Sequence, residues 1–293
     1  MKKEEFYEEA RAYLTKKGAK IVEVTKNNGL KLTGASLEFI GKEIEDGKTM
    51  VPTIYLEYLY EDFKENEPDS LEDFLEEAIR KAAQTPMPSF NTDPESLKEK
   101  IMPMLVNKNT NKELLEQIPH RDYVGDIAII YKAMWHGEES GSALIRNSFI
   151  EGLKMSEDDL YRLSMANLFL DGPQAIPMTQ IMCELSGMEP EELPIGMMDE
   201  NPMYVVTNKA RCNGSGAILS PLTLEKLANE LDSNLFMFPS SIHEWIVIKE
   251  NDELEEFQDM VRDINATEVS PSDFLSNNVF YYDKETKQVS VAA

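Results

Sequence analysis

A cysteine and a histidine in the C-terminal region have the side chains best suited to covalent chemistry. Cys212 lies in a loop that also contains Gly214 and Gly216, and His243 follows a Pro-Ser-Ser segment. A thiol attacks as the thiolate and needs a base such as an imidazole within hydrogen-bond distance. One hypothesis is therefore a Cys/His-dependent hydrolase or transferase. The alternative is that Cys212 is a small loop residue and His243 ends a strand.

The polar residues around this pair form a wider candidate surface. Polar side chains placed between apolar segments must be satisfied, so they indicate either a structural network or a binding site. Ser241 and His243 share one strand face, but no GxSxG motif is present, and serines in turns commonly bond to their own backbone. The candidate binding residues are Asn213, Gly214, Ser240, Ser241, His243 and Glu244.

The sequence predicts no metal ion and no cofactor. Its three histidines are widely scattered, and neither an HExxH motif nor a Cys/His quartet occurs. The loop at Gly214 and Gly216 lacks the third glycine of a dinucleotide-binding motif, and no EF-hand spacing or P-loop lysine is found.

The charge of the chain limits its partners. With 54 acidic and 29 basic residues the formal net charge is −25, which opposes direct binding to nucleic acid or to an anionic membrane surface. We therefore expect a protein that binds a protein partner or a small ligand rather than one that catalyses a reaction. Ten acids and one lysine between Glu57 and Glu77, together with the acids between Glu250 and Asp263, suggest an alternative, a mimic of nucleic acid that occupies a DNA-binding protein. They are equally typical of a solvated helical face.

Cysteine content and hydropathy indicate the compartment. Cys183 and Cys212 form no CxxC pattern, which fits a reducing environment better than a disulfide framework. The N-terminal residues contain no apolar segment typical of a signal peptide, and no run of 18 apolar residues occurs. We expect a cytoplasmic protein.

The periodicity of apolar residues predicts an α+β fold of mostly antiparallel strands with packed helices, because strands occur in adjacent pairs with helices between the groups. Helices are predicted around residues 6–14, 53–63, 71–82, 156–168, 177–185, 221–231 and 254–264. Strands are predicted around residues 20–25, 30–33, 123–135, 142–150, 203–207, 214–219, 235–238, 243–248, 279–282 and 288–291.

Two subdomains are predicted on either side of a segment rich in proline and acid. Residues 188–202 form a linker or a long loop, since three prolines punctuate the segment. The N-terminal α+β region is then 1–187 and the C-terminal α+β subdomain is 203–293.

Several motifs occur in an order that resembles a known family. In the C-terminal half these are Tyr204, Asn208, Asn213-Gly214, a capped helix and the Pro239-Ser240-Ser241-Ile242-His243-Glu244 motif. In the middle they are Asp126 to Tyr131, Ile145 to Asn147 and Ser156 to Asn167. The chain resembles, over nearly its whole length, an uncharacterised bacterial family classed as a domain of unknown function. The resemblance implies no activity and no site residues.

Overall fold

A computed structural model of the chain describes residues 1–43, 49–85, 94–135, 141–189 and 202–292. Helices and antiparallel strands alternate along them, which confirms the predicted α+β class. Contacts divide the chain into two compact units, Met1–Asp93 with Gly137–Gly141, and Pro94–His136 with Ser142–Ala293.

The first unit packs three helices against a three-stranded antiparallel sheet. The helices are α1 (Lys3–Lys16), α2 (Leu56–Asn66) and α3 (Leu71–Gln84). The strands are β1 (Lys20–Thr25), β2 (Lys31–Ser36), β3 (Lys42–Glu43), β4 (Thr49–Met50) and β5 (Thr53–Tyr55). The sheet has the order β1-β2-β5, and β3 pairs with β4. Apolar residues at helical spacing in α1, such as Phe6, Ala10 and Leu14, are fully buried in its core.

Two details of this unit differ from the prediction. Residues from Thr53 to Tyr55 are a strand that pairs with β2, so the helix predicted from residue 53 begins at Leu56. The strand predicted at residues 30–33 extends to Ser36, and the third helix is capped by Ser70, whose hydroxyl accepts the Asp73 N–H at 3.2 Å.

The second unit contains two sheets. The first has the order β6-β8-β7, with β9 also paired to β8. Its strands are β6 (Ile101–Asn107), β7 (His120–Asp122), β8 (Ile127–Trp135) and β9 (Gly141–Leu144). The helices in this part of the chain are α4 (Pro94–Lys98), α5 (Lys112–Leu115), α6 (Asn147–Leu153) and α7 (Glu157–Asp171).

The second sheet has six strands in the order β10-β11-β13-β12-β14-β15, all antiparallel. They are β10 (Gln174–Pro177), β11 (Tyr204–Thr207), β12 (Leu235–Pro239), β13 (Trp245–Lys249), β14 (Phe280–Asp283) and β15 (Gln288–Val291). The helices are α8 (Met178–Ser186), α9 (Pro221–Glu230) and α10 (Leu254–Thr267). One apolar core contains residues of both sheets, including Leu105, Tyr131, Trp245 and Phe280.

Residues 188–202, the predicted linker or long loop, lie within the sequence range of the second unit. Within that segment, residues 190–201 lie outside the described residues. Strand β10 precedes it and β11 follows it, and these strands pair directly from Gln174 with Thr207 to Pro177 with Tyr204. The described chain on both sides of the predicted linker therefore belongs to the second unit.

Two predictions for the second unit are corrected, and β6 is a strand that was not predicted. The segment Gly214–Leu219, predicted as a strand, is a 3₁₀ helix whose six residues are all buried. The predicted extended run 142–150 ends as a strand at Leu144, and α6 occupies Asn147–Leu153. Strand β6 was not predicted, because Pro103 interrupts a sequence rich in methionine. Pro103 is accommodated because β6 lies at a sheet edge, where the missing N–H of the proline breaks no hydrogen bond of the sheet.

Candidate functional site

The loop that follows β11 is folded by the Asn208 side chain. Its Nδ2 donates to the Cys212 carbonyl at 2.9 Å, and its Oδ1 accepts the Cys212 N–H at 3.2 Å. Arg211 and Asn213 both adopt φ of 51°, in the left-handed region. Asparagine enters this region more readily than most residues, whereas the arginine is held there by the surrounding bonds.

His243 joins this loop to the turn before β13. Its Nδ1 accepts the Asn213 N–H at 2.9 Å, its N–H donates to Ser241 Oγ at 3.0 Å, and its carbonyl accepts Thr207 Oγ1 at 2.8 Å. Because Nδ1 accepts a hydrogen bond, the neutral ring carries its proton on Nε2. That nitrogen lies 3.7 Å from Asp273 Oδ2. The imidazole therefore has no free lone pair for a neighbouring thiol.

Cys212 is exposed, and its sulfur is contacted by an amide. Asn213 Nδ2 donates to Cys212 Sγ at 3.4 Å, and no hydrogen bond joins this sulfur to His243 within the described part of the chain. The two predicted catalytic residues are thus linked only through Asn213, which lies between them. This geometry does not provide the thiol–base contact that nucleophilic catalysis requires.

The same loop covers the free edge of β6. The Lys100 carbonyl accepts the Met134 N–H at 2.9 Å, so these two residues form a hydrogen-bonded pair of the ladder between β6 and β8. Hydrogen-bonded and non-bonded pairs alternate along an antiparallel ladder, which makes Leu105 and Ile129 a non-bonded pair. The Leu105 N–H therefore points away from β8. Ser215 Oγ accepts that N–H at 3.2 Å, and the Ser215 carbonyl accepts Trp245 Nε1 at 3.0 Å. A buried serine therefore ties the edge of one sheet to a core residue of the other.

Two glycines allow this close approach. A Cβ on Gly214 would lie 2.3 Å from Thr207 Oγ1 and 2.7 Å from the His243 carbonyl oxygen. A Cβ on Gly216 would lie 2.3 Å from the Pro103 carbonyl oxygen. All three distances are far below van der Waals contact, so no larger residue fits either position without movement of the backbone.

These contacts bring together most of the predicted binding residues, which we call the loop–turn cluster. Its members are Asn208, Cys212, Asn213, Gly214, Ser215, Ser241, His243 and Glu244. Glu244 contributes its carbonyl, which accepts the Ser241 N–H at 3.3 Å. The hydroxyl of Ser240 makes no hydrogen bond to the described residues. The cavity beside the cluster measures about 10 Å³, at most the space of one water molecule.

A much larger cavity of about 540 Å³ lies elsewhere in the second unit, and we call it the α9 cleft. It is bordered by the end of α7, by β10 and by α9, with single residues from β11, α8 and the loop after β11. Its lining comprises Phe169, Gly172, Pro173, Gln174, Ala175, Ile176, Gln180, Tyr204, Arg211, Ser220, Leu222, Thr223, Lys226, Leu227 and Glu230.

The α9 cleft combines exposed apolar side chains with polar groups. Phe169 is 65% exposed and Leu222 is 59% exposed. Tyr204 Oη donates to Glu230 Oε1 at 3.1 Å, and burial together with this carboxylate raises the pKa of the Tyr204 phenol. Lys226 lines the cleft and is itself exposed.

Two further cations lie at its border. Arg211 Nη1 lies 2.6 Å from Glu184 Oε2, and this carboxylate raises the pKa of Arg211. Lys209 Nζ would lie 3.8 Å from a Cβ placed on Gly172, so its ammonium group lies beside the wall of the cleft.

Comparison with known sequences identifies a family. The model of DUF5688, a family of unknown function, matches residues 3–284. The chain belongs to DUF5688. No curated protein and no solved structure gives a significant match.

Two kinds of feature are absent from the part of this DUF5688 protein that the structure describes. No helix there has the length and apolar character needed to cross a membrane. The same residues contain no group of three or more His, Cys, Asp or Glu side chains arranged to hold a metal ion.

Sequence reasoning missed nearly all of the cleft. Tyr204 is one of the motif residues that carry the family resemblance, but neither it nor Arg211 is predicted to belong to a site. The sequence contains one indication of the cleft at the end of α7. There Phe169 and Leu170 lie outside the buried face of the helix, which contains Leu160 and Leu168. Large apolar residues on the exposed side of a helix are typical of a contact surface when they form a continuous patch with other exposed apolar residues.

Proposed function

We propose that the protein acts by binding, and that the α9 cleft holds a small ligand with an apolar portion and an anionic group. The exposure of Phe169 and Leu222 on a cavity of about 540 Å³ carries this proposal. Ligand sites commonly measure about 300–1,000 Å³ and are lined by apolar side chains with a few polar groups. The cleft has this composition, whereas the loop–turn cluster has no comparable space.

The charge of the ligand follows from the lysines. Although the chain carries a net charge of −25, no carboxylate of the described residues lies within ion-pair distance of Lys226 or Lys209. An ammonium group without a protein partner is available to a ligand, and a charged hydrogen bond is stronger than a neutral one. The net negative charge of the chain opposes the approach of anions, so affinity for the anionic group has to come from these lysines.

Two alternatives receive less support. Catalysis by Cys212 and His243 would require rearrangement, because the bonds of Asn213 occupy both side chains. The nucleic-acid mimic stays a prediction. Several acids of α2 and α3 that would carry it are paired with cations, as in Lys17 with Glu76, Lys64 with Glu61 and Arg80 with Glu77.

We extend the proposal to the source of the protein and to its compartment in the cell. We infer a bacterial, cytoplasmic protein from the family resemblance, the acidic composition and two unpaired cysteines, Cys183 and Cys212. A protein partner that delivers or receives the ligand is compatible with the exposed apolar residues around the cleft.

Fluorescence titration with 8-anilinonaphthalene-1-sulfonate tests the proposal, since this probe joins an apolar ring system to one anionic group. We expect saturable binding that the Lys226→Glu variant weakens about tenfold, the effect of losing one charge-assisted contact. Lys112→Glu is the matched control, because it reverses an exposed lysine of the same unit outside the cleft. It should bind the probe as the parent protein does.

Two results would contradict the proposal. One is the absence of saturable binding by a protein whose circular dichroism and cooperative unfolding show that it is folded. The other is an equal loss of affinity in the Lys226→Glu and Lys112→Glu variants, which would show that the probe responds to net charge and not to the cleft.

A further inference from the structure

Strand β10 forms one end of the six-stranded sheet, so one of its edges has no neighbouring strand in the described sheet. A hydrogen bond at the junction of β10 with α8 shows which residues of β10 form hydrogen bonds with β11. The Met178 N–H donates to the Met203 carbonyl at 2.8 Å. In an antiparallel pair, directly opposed residues alternate between hydrogen-bonded and non-bonded pairs. The register therefore makes Ile176 with Val205 a hydrogen-bonded pair and Ala175 with Val206 a non-bonded pair.

It follows that the Ala175 N–H and C=O both point away from β11, toward the outer edge of the sheet. The same phase applies to residues 173 and 177, but both are prolines and have no N–H to donate. Within the described residues neither backbone group of Ala175 has a hydrogen-bond partner. Ala175 also lines the α9 cleft. The edge thus offers one donor and one acceptor on a single residue, at the wall of the cavity.

We propose that the ligand of the α9 cleft is an extended peptide with an anionic residue or terminus, which adds to β10 as an antiparallel strand at Ala175. This inference rests on the proposed function of the cleft. One residue of the peptide exchanges two backbone hydrogen bonds with Ala175, as in other cases where a peptide extends a sheet.

The chemistry of the cleft favours a peptide over other amphipathic anions. A peptide unit supplies an N–H and a C=O at the spacing of a strand, whereas an alkyl chain would cover both groups of Ala175 and leave them unpaired at a cost. Side chains alternate along an added strand, so every second one faces the side where Leu222 and Lys226 line the cleft. The prolines at 173 and 177 restrict pairing to a short segment, which also protects the edge from other strands.

The experiment measures binding of short peptides by isothermal titration calorimetry. The probe is the pentapeptide acetyl-Leu-Thr-Leu-Thr-Asp with a free carboxyl terminus. Five derivatives are each N-methylated at a different amide. Decanoate serves as an amphipathic anion that has no amide, and 8-anilinonaphthalene-1-sulfonate reports on the cleft itself. We expect the parent peptide to bind, and at least one N-methylated derivative to bind about tenfold more weakly.

A variant of the protein removes the Ala175 N–H, the group that the peptide is proposed to bond. Ala175→Pro deletes the outward N–H while leaving the bonds to β11, and positions 173 and 177 show that this edge accepts proline in the same phase. We expect about tenfold weaker peptide binding, with binding of 8-anilinonaphthalene-1-sulfonate changed less than twofold. The control is Gly152→Ala, in α6 and outside the cleft, where an added Cβ meets nothing within 4 Å, and it should leave both unchanged.

The outcomes separate this inference from the proposed function. Peptide affinity that no N-methyl position lowers overturns the strand pairing, and this result does not depend on the folding of any variant. If the sulfonate or decanoate binds and the pentapeptide does not, the peptide is the wrong ligand class while the cleft remains a binding site. If none of the three probes binds, both proposals fail.

Discussion

The loop–turn cluster and the α9 cleft lie in the same unit and both border β11, yet they differ in how their polar groups are used. In the cluster, Asn213, Ser215 and His243 have hydrogen-bond partners, and the adjoining cavity measures about 10 Å³. In the cleft, Lys226 and the outward groups of Ala175 have none among the described residues, and the cavity measures about 540 Å³. Dense polar sequence here marks a satisfied network, while the open site is built from residues that are ordinary in sequence.

This difference separates stability from binding. A group that is already paired stabilises the fold, and its loss leaves a buried partner unsatisfied. A group that is exposed and unpaired contributes little to folding and is free to contact a ligand. Substitutions in the cluster should therefore change the free energy of unfolding, and substitutions in the cleft should change affinity alone.

Gly214→Ala should destabilise the protein by about 3 kcal/mol, the upper part of the usual range for overpacking a close contact. The added methyl would collide with the Thr207 hydroxyl and with the backbone of Asn208 and His243, so relief requires a backbone shift. Urea unfolding followed by circular dichroism measures the change. The control is Gly152→Ala in α6, where a Cβ meets nothing within 4 Å and alanine should be neutral or stabilising by up to about 1 kcal/mol. Equal effects at the two glycines would show that the loop–turn cluster is not tightly packed.

Ser215→Ala should cost about 2 kcal/mol, because the Leu105 N–H at the β6 edge loses its acceptor in a buried position. Ser240→Ala is the matched control, since that hydroxyl makes no hydrogen bond to the described residues, and its effect should stay within about 0.5 kcal/mol. Amide hydrogen exchange at Leu105 adds a local measurement. Its protection should fall in the Ser215→Ala variant only. Unchanged protection would mean that the serine does not cover the edge.

The parts of the fold that sequence predicted well are those determined by near neighbours. Helices α1 and α3 have apolar residues at helical spacing, and β14 and β15 form a hairpin across a short polar turn, as expected. The 3₁₀ segment Gly214–Leu219 is different, because its apolar composition also suits a strand. Its conformation depends on partners that are distant in sequence, such as the Leu105 N–H bonded to Ser215.

The candidate sites follow the same division. Sequence pointed to part of the loop–turn cluster, because Asn213, Ser241 and His243 are polar residues within apolar surroundings, but it did not single out Asn208 or Ser215 as site residues. It offered no comparable signal for the cleft, whose central feature is the direction of the Ala175 backbone groups. That direction depends on the pairing of β10 with β11 and on the position of β10 at the end of the sheet. Neither can be read from periodicity.

His243→Leu should destabilise by about 1 kcal/mol, because the Asn213 N–H loses its acceptor in a half-buried position. Cys212→Ser should change stability by less than about 0.5 kcal/mol, since Cys212 is exposed. Urea unfolding measures both.

The rate of alkylation of Cys212 by iodoacetamide distinguishes structure from catalysis. We expect the His243→Leu variant, with Cys183 replaced by alanine in both proteins, to react within twofold of its parent. A tenfold slower reaction would show that the imidazole activates the thiol and would restore the enzyme hypothesis.

The smallest change in stability is expected for Leu222→Ala, in the first turn of α9. Leu222 is 59% exposed, and alanine is a better helix former, so the free energy of unfolding should change by less than about 0.5 kcal/mol. Leu224, two positions later, is 2% exposed, and Leu224→Ala should cost about 3 kcal/mol through the cavity it leaves. Binding of 8-anilinonaphthalene-1-sulfonate should show the opposite order, with affinity weakened several-fold by Leu222→Ala and nearly unchanged by Leu224→Ala under conditions where both variants are folded. A Leu222→Ala variant that loses stability and keeps affinity would place this side chain in the core and remove the apolar wall on which the proposed site depends.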